Sequence, residues 1–295
     1  MATPGGDART GKLGRVRYGL IDSGLGVLAT AAAILDLDAG AELVFALDPD
    51  GMPYGVREPA DVKRRIDALG AALVPYRPDA IVVACNTASV HALDDLRARH
   101  EPATPVIGTV PAIKPAAATG RPFAVWATVR TTGSPYQRDL IARFAPQSDV
   151  TEVACPGFAE AVEQGDADGI AAAVDLAVAA TPRTVSDVVL GCTHYPLAVD
   201  RIAAAFGRPV RLHDSAPAVA AQAVRRAAAA VGRTAVRPGA ALDGADVAGP
   251  PTARLVAVLE SGRPAGFPTR ALTYAQGRRI AALADGSQAL DRSAV

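Results

Sequence analysis

The stretch AIVVACNTASVHALDDLRARH, residues 80–100, places an apolar run directly before a helical pattern. Residues 80–85 are continuously apolar, which is typical of a short strand buried on both faces. Residues 88–100 have the periodicity of a helix, and only Asn86 and Thr87 separate the two patterns. A buried strand that passes straight into a helix is the repeating unit of a parallel α/β fold.

The same unit recurs along most of the chain. Apolar runs alternate with helical patterns, and the further predicted strands cover residues 16–22, 41–48, 123–128, 150–155 and 186–192. Continuous apolar strands indicate parallel sheets that helices cover on both faces. The sequence therefore predicts a doubly wound, flavodoxin-like α/β architecture.

Two pairs of predicted strand ends have nearly equal spacing. Asp22 and Cys85 are 63 residues apart, and Thr128 and Cys192 are 64 residues apart. Similarity over such a long period indicates two related units within one chain. We therefore expect two pseudo-symmetric lobes, each with its own parallel sheet.

We expect the first lobe to comprise residues 15–107 plus 216–295 and the second to comprise residues 108–215. Ligands bind at the carboxyl ends of the strands in open α/β sheets. An active-site cleft is therefore expected between the lobes. If the lobes face each other, Cys85 and Cys192 lie on opposite sides of that cleft.

The composition argues against two classes of partner. Thirty basic and thirty acidic residues cancel over the 295 residues, so nothing favours binding to nucleic acid or to an anionic membrane. No apolar run approaches the roughly 20 residues that cross a bilayer, and the first residues lack the apolar stretch of a signal peptide. We therefore expect a cytoplasmic protein.

The chain has three cysteines, Cys85, Cys155 and Cys192. Three thiols do not make a disulfide framework, and none lies in the CxxC pattern typical of zinc sites. We therefore expect free thiols in a reducing compartment and no metal site. Cys155 is expected to be a packing residue, because buried structural thiols are the common case.

Cys85 and Cys192 each follow a predicted strand and precede polar residues. A thiol at the start of a helix lies close to free backbone N–H groups, which lower its pKa, and we expect this at both positions. The same N–H groups suit a small carboxylate, and the glycines of IDSGLG (21–26) let the backbone approach a ligand closely. The chain has neither a Walker motif nor GxGxxG. These features predict an anionic small molecule as the ligand rather than a nucleotide.

Eight stretches carry a known family pattern, in family order. They are IDSGLG (21–26), LDPDGMPYG (47–55), VVACNTAS (82–89), PVIGTVPAIKPAA (105–117), ATVRTTGSPYQRDLIARFA (127–145), ACPGFAEAVEQG (154–165), VLGCTHYPL (189–197) and HDSAPAVA (213–220). In these stretches the chain resembles the glutamate racemases of the cofactor-independent Asp/Glu racemase superfamily. The resemblance covers about residues 16–225, and the paired ACNTAS and GCTHYP motifs are its most specific part.

The resemblance implies an enzyme that racemises glutamate without a metal or an organic cofactor. One thiolate removes the α-proton, and the thiol on the opposite face returns a proton. By this analogy Cys85 deprotonates the D-enantiomer with the help of Asp22, and Cys192 deprotonates the L-enantiomer with the help of His194. The D-glutamate would supply peptidoglycan synthesis, and with it cell-wall biogenesis and cell shape.

The resemblance also implies which residues contact the substrate. They are Asp22, Ser23, Tyr54, Gly55, Asn86, Thr87, Thr128, Thr131, Thr193 and His194. Asp48 and Glu163 are expected to support the site, and their alternative interpretation is that of solvated acids. A homodimer is one assembly that the sequence leaves open.

Two departures from the family pattern concern the first lobe. Val27 stands where the family usually has a second glycine, and residues 48–52 differ from those that the family usually has before PYG. Val27 is expected to narrow the cleft or to shift the first helix. The departures leave open a related racemase that acts on another amino acid, and a non-catalytic binding protein of the same fold is the second alternative.

The resemblance does not cover the carboxyl-terminal part of the chain. Here the pattern predicts a helical segment at residues 252–262 and a terminal helix at residues 275–286. A flexible region rich in Gly, Ala, Asp and Pro is expected at about residues 235–250.

Overall fold

Strands and helices alternate along the chain in the computed structural model, which describes residues 15–232 and 252–284. The strands are β1 (Arg17–Asp22), β2 (Glu42–Leu47), β3 (Ala80–Val83), β4 (Val106–Gly108), β5 (Phe123–Ala127), β6 (Val150–Ala154), β7 (Asp187–Leu190), β8 (Arg211–His213), β9 (Arg254–Glu260) and β10 (Arg263–Ala265). The helices are α1 (Val27–Leu37), α2 (Pro59–Leu73), α3 (Asn86–His100), α4 (Ile113–Ala117), α5 (Pro135–Phe144), α6 (Phe158–Gln164), α7 (Ala167–Ala179), α8 (Val199–Ala205), α9 (Ala216–Ala230) and α10 (Ala275–Ala281). The predicted strands are thus present, shortened by one to three residues.

The strands form two sheets. The first has the order β10-β9-β2-β1-β3-β4, and the second has the order β6-β5-β7-β8. All neighbouring strands are parallel except β9 and β10, which form an antiparallel hairpin at one edge of the first sheet. The run β2-β1-β3-β4 of the first sheet and the whole second sheet have the same connectivity, because β1 and β5 each lie between the next two strands of the chain. The predicted α/β fold of two related lobes is confirmed.

Alternate residues of each strand face opposite sides of its sheet, and helices cover both sides. In β1, Leu20 packs into the core shared with α1 and α9, whereas Ile21 packs against α2 and α3. In β5, Trp126 packs towards α6 and α7, and Val125 packs towards α4. The core that contains Leu20 also contains Trp126, so one apolar cluster extends from the first lobe into the second.

The prediction for residues 252–262 is wrong. This stretch forms strand β9, which pairs in parallel with β2, and not a helix. Its apolar residues complete the sheet next to a strand some 200 residues earlier in the chain, a partner that the local pattern does not reveal. The terminal helix is present as α10, and the predicted flexible region lies outside the described residues.

The allocation of strands supports the predicted lobe boundaries, which we retain as a proposal. The first sheet takes its strands from residues 17–108 and 254–265, and the second takes its strands from residues 123–213. Helix α9 returns to the first lobe and packs on α1. Within the described residues, no helix combines the length and the apolar character that crossing a membrane requires.

Candidate active site

A cavity of about 240 Å³ lies where the carboxyl ends of the strands of both sheets meet. Its wall contains most of the residues that the sequence singled out. From the first lobe these are Ser23, Tyr54, Gly55, Cys85, Asn86 and Thr87, and from the second they are Thr128, Thr131, Cys192, Thr193 and His194. Asp22, Asp48 and Glu163 do not line the cavity but lie buried behind its wall.

Cys85 lies between β3 and α3 and is the residue that immediately precedes the helix. It is buried, and the backbone N–H groups of Thr87 and Ala88 are directed at its sulfur. Burial nevertheless raises the pKa of this thiol well above its usual range, and the nearby Asp22 carboxyl raises it further. The predicted lowering of the Cys85 pKa is therefore wrong, because desolvation outweighs the N–H groups.

Asp22 ends β1 and is completely buried. The backbone N–H of Ser23 donates to one carboxyl oxygen at 2.6 Å, and the Thr193 hydroxyl donates to the other at 3.4 Å. Burial raises the pKa of Asp22 from 3.8 to about 7. The carboxyl group near the Cys85 thiol therefore titrates close to neutral pH.

Cys192 lies at the carboxyl end of the second sheet, two residues after β7. It is half-buried, and its sulfur lies 3.8 Å from Nδ1 of His194. The chain continues into a single 3₁₀ turn, Tyr195–Ala198, and not directly into an α-helix. The expectation of a helix start at this thiol is therefore wrong. The imidazole two residues further on is its polar neighbour instead.

His194 connects Cys192 to a buried carboxylate. Its Nε2 lies 3.0 Å from Oε2 of Glu163, and both side chains are almost completely buried. Burial alone would lower the pKa of His194, but the hydrogen bonds to Cys192 and Glu163 raise it well above its usual range. His194 therefore contacts the Cys192 sulfur with one ring nitrogen and Glu163 with the other, and both contacts favour its protonated form.

Glu163 is held by groups from three parts of the chain. Its Oε2 also accepts the backbone N–H of Leu25 at 2.6 Å, and its Oε1 accepts two N–H groups of Arg270 at 3.0 and 2.8 Å. Burial acts to raise the pKa of Glu163, but the hydrogen bond to His194 and the other donors lower it below its usual range. The resemblance predicts a supporting role for Glu163. Arg270 lies outside the region of resemblance, and no local signal indicates it.

The two lobes also meet directly at the cavity. The Asn86 side-chain amide donates to the carbonyl of Gly191 at 2.9 Å. A Cβ atom at Gly26 would lie 2.5 Å from the Thr193 hydroxyl, and one at Gly24 would overlap the Glu163 carboxylate. The glycines at positions 24 and 26 therefore admit side chains of the second lobe, and the close approach of this backbone to a ligand stays a prediction.

Asp48 holds Tyr54 in the cavity wall. It is buried and accepts the Tyr54 hydroxyl at 3.0 Å, Arg65 at 3.1 Å and the Ser261 hydroxyl at 2.8 Å. Burial and the Asp48 charge raise the pKa of Tyr54 above its usual range, so this phenol stays protonated. Asp48 is thus a buried, fully paired carboxylate rather than a solvated acid.

The second lobe supplies the facing wall. The hydroxyls of Thr128 and Thr131 lie 3.0 Å apart and hydrogen-bond to each other. Two exposed charged residues that the sequence did not single out, Arg130 and Glu160, also line the cavity. Cys155 borders it as a buried thiol that donates to the carbonyl of Val153, and burial raises its pKa to about 12.

Val27 does not narrow the cleft. It is the first residue of α1 and is completely buried in the core that both lobes share. It is absent from the residues that line the cavity. The departure at position 27 therefore affects the packing of the first helix and not the cavity wall.

Comparisons with known proteins agree with this architecture. A family model described as Asp/Glu/hydantoin racemase matches residues 24–223. The chain is 40% identical over 207 residues to a glutamate racemase of Roseiflexus sp., which covers 68% of this chain and 76% of that protein. A glutamate racemase of Sphingopyxis alaskensis is 41% identical over 210 residues, covering 68% of this chain and 77% of its own. The solved glutamate racemase of Escherichia coli, in complex with L-glutamate and the activator UDP-MurNAc-Ala, is 28% identical with a TM-score of 0.67 and covers 86% of this chain and 100% of that one.

Proposed function

The chain belongs to the Asp/Glu/hydantoin racemase family and is an amino-acid racemase, an isomerase, and from this premise we propose that it interconverts L- and D-glutamate. The relatives named above support glutamate as the substrate, and one of them was solved with L-glutamate bound. The proposed reaction uses two cysteines and no cofactor.

One observation carries the proposal: Cys85 of the first lobe and Cys192 of the second line the same cavity. Inversion at an α-carbon in a two-base reaction uses a base on one face of the substrate and a proton donor on the other. Thiols brought from two facing lobes suit this requirement, because a substrate between the lobes presents a different face to each.

The proton balance of the proposed reaction is simple. In the L-to-D direction, Cys192 enters as a thiolate and removes the α-proton, and the electron pair of the C–H bond stays on the substrate. The Cys85 thiol then delivers its proton to the opposite face of the planar carbanion. Cys192 ends as a thiol and Cys85 as a thiolate, which is the starting state for the reverse direction.

The two cysteines have different polar neighbours. The His194 ring lies beside Cys192, with Nδ1 3.8 Å from the sulfur, where it can exchange a proton with it. Burial keeps Cys85 as a neutral thiol. Asp22, with a pKa of about 7, is a base of suitable strength near that thiol. Asp22 and His194 thus support the two cysteines in different ways.

We propose that the remaining polar groups of the wall hold the carboxylates and the ammonium group of glutamate. The hydroxyl, amide and backbone N–H groups there are suited to both kinds of charge. The residues assigned to this role are Ser23, Tyr54, Gly55, Asn86, Thr87, Thr128, Thr131, Thr193 and His194, with Asp22 behind them. Asp48 supports the site by fixing Tyr54, and Glu163 supports it by fixing His194.

The proposed biological role is the supply of D-glutamate for peptidoglycan in the cytoplasm. The three free cysteines support a reducing compartment. Growth of a bacterial strain that requires added D-glutamate, restored by this gene but not by a cysteine variant, tests the role. The homodimer stays a prediction, which light scattering after gel filtration tests.

The substrate is tested with single enantiomers of a panel of amino acids in deuterated water. Optical rotation measures inversion, and proton NMR measures deuterium incorporation at the α-carbon. We expect inversion and exchange with L- and D-glutamate. Inversion of another amino acid, with none of glutamate, would contradict the proposed substrate and favour the related racemase. A bound amino acid that neither inverts nor exchanges would contradict the proposed reaction.

A further inference from the structure

The carboxyl-terminal segment, residues 252–284, belongs to the first lobe but reaches the second at α6. Its strand β9 extends the first sheet, and a 3₁₀ turn, Thr269–Thr273, follows the β9–β10 hairpin. From this turn Arg270 donates Nε and Nη2 to Oε1 of Glu163. Tyr274 lies four residues past the arginine, and its hydroxyl donates to the backbone carbonyl that precedes Glu163. The segment therefore fixes both the backbone and the side chain at the end of α6.

The hydrogen bonds of Glu163 divide between its two oxygens. Oε1 is bound by Arg270, whereas Oε2 faces His194 at 3.0 Å and Leu25 at 2.6 Å. A carboxylate held at both oxygens cannot rotate about its last torsion without breaking a charged hydrogen bond. The orientation of Oε2 towards His194 therefore depends on the guanidinium group that holds Oε1.

The charged and titratable groups around this pair come from several elements. Besides Arg270 they are Asp22 at the end of β1, Cys192 after β7 and Tyr274 before α10. Arg270 provides the direct cationic contact to Glu163 on the side away from the imidazole. Its loss leaves Oε1 of a buried carboxylate without these hydrogen bonds, which is costly.

We propose that Arg270 is a positioning residue for the Cys192 half of the racemase reaction. It orients Glu163, which orients His194, which faces the Cys192 sulfur. The inference rests on the proposed two-cysteine reaction and assigns to the carboxyl-terminal segment a role in only one of its two proton transfers.

Isotope effects distinguish this role from a purely structural one. Free L- and D-amino acids have equal free energies, so kcat/KM must fall equally in both directions in any variant. Isotope effects, however, report on each of the two proton transfers individually. When Cys192 works poorly, its transfer limits the rate. The primary isotope effect then rises for the α-deuterated enantiomer that Cys192 deprotonates and falls towards one for the other enantiomer.

The experiment compares Arg270→Gln, Arg270→Lys and the control Arg279→Gln with the wild type. Arg279 lies on α10 of the same segment and pairs with Asp36, away from Glu163. We expect Arg270→Gln to lower kcat/KM about 10- to 100-fold, as small misplacements of catalytic groups do. The isotope effect should rise with α-deuterated L-glutamate and fall with the D-enantiomer.

Arg270→Lys keeps the charge but loses the two-point donor, so it should show the same redistribution with a smaller loss of rate. Arg279→Gln should leave the rate and both isotope effects at wild-type values. Thermal denaturation checks that each variant is folded. If Arg270→Gln is unfolded, the rate and the isotope effects of Arg270→Lys test the inference instead. Unchanged rates, or a loss of rate with both isotope effects unchanged, would overturn the inference. If the wild type does not racemise glutamate, the proposed substrate fails by itself, and the same ratios are measured on the amino acid that it does racemise.

Discussion

Replacing Asp22 with asparagine should change the pH dependence of folding stability in a calculable way. Asp22 is completely buried, and its pKa is about 7 in the folded protein against an ordinary value of 3.8. Between these values the unfolded chain has lost the Asp22 proton while the folded protein still holds it. The folded wild type therefore loses stability as pH rises from about 4 to about 7.

The magnitude follows from the size of the shift. About three pKa units at roughly 1.4 kcal/mol each give a loss of about 4 kcal/mol across this window. Asparagine does not ionise, and its amide oxygen can still accept the backbone N–H of Ser23. The unfolding free energy of Asp22→Asn, taken relative to that of the wild type, should therefore increase by about 4 kcal/mol between pH 4 and pH 8.

Urea unfolding at a series of pH values measures this difference. The control is Asp94→Asn, which makes the same chemical change at a side chain that is 97% exposed. The control should follow the wild type at every pH. A difference between Asp22→Asn and the wild type that stays constant from pH 4 to pH 8 would refute the assignment of a buried, neutral carboxyl group at this position.

Two further predictions concern a glycine where the lobes meet and a buried carboxylate at the start of β7. Gly26→Ala would place a methyl group 2.5 Å from the Thr193 hydroxyl and 2.7 Å from an Asp22 oxygen. It should therefore destabilise the fold by about 1–3 kcal/mol, measured by urea unfolding, and lower kcat/KM, measured by polarimetry. Wild-type values for both would contradict the close approach of the lobes. Burial acts to raise the pKa of Asp187, but hydrogen bonds from Arg121 and other donors lower it to about 2. The wild type should therefore lose stability relative to Asp187→Asn as pH falls from about 4 to about 2, and parallel unfolding curves over that range would contradict this.

Much of the fold could be predicted because its signals are local. A short apolar run before a helical pattern marks β1, β2, β3, β5, β6 and β7, and that alternation indicates parallel sheets. Strand β9 shows where this reasoning stops. Its residues, LVAV within 255–258, have no period that separates a strand from a buried helix, and its pairing with β2 comes from the folded sheet.

The sequence predicts which residues form the site, but it does not predict their pKa values. Cys85 and Cys192 were found from their positions after strands, and the structure brings both to one cavity. The pKa of Cys85, however, depends on burial and on Asp22, which is remote in sequence, and these outweigh the nearby helix start. Arg270 could not be found, because its partner Glu163 lies 107 residues away.

The central claim is that each of the two thiols serves one face of the same substrate carbon. The most direct test follows racemisation and α-deuterium exchange by Cys85→Ala and by Cys192→Ala. Each variant should lose its racemisation rate by about 10²- to 10⁴-fold, the range expected for removal of one acid–base group. Near-normal racemisation by either variant would contradict the two-thiol reaction.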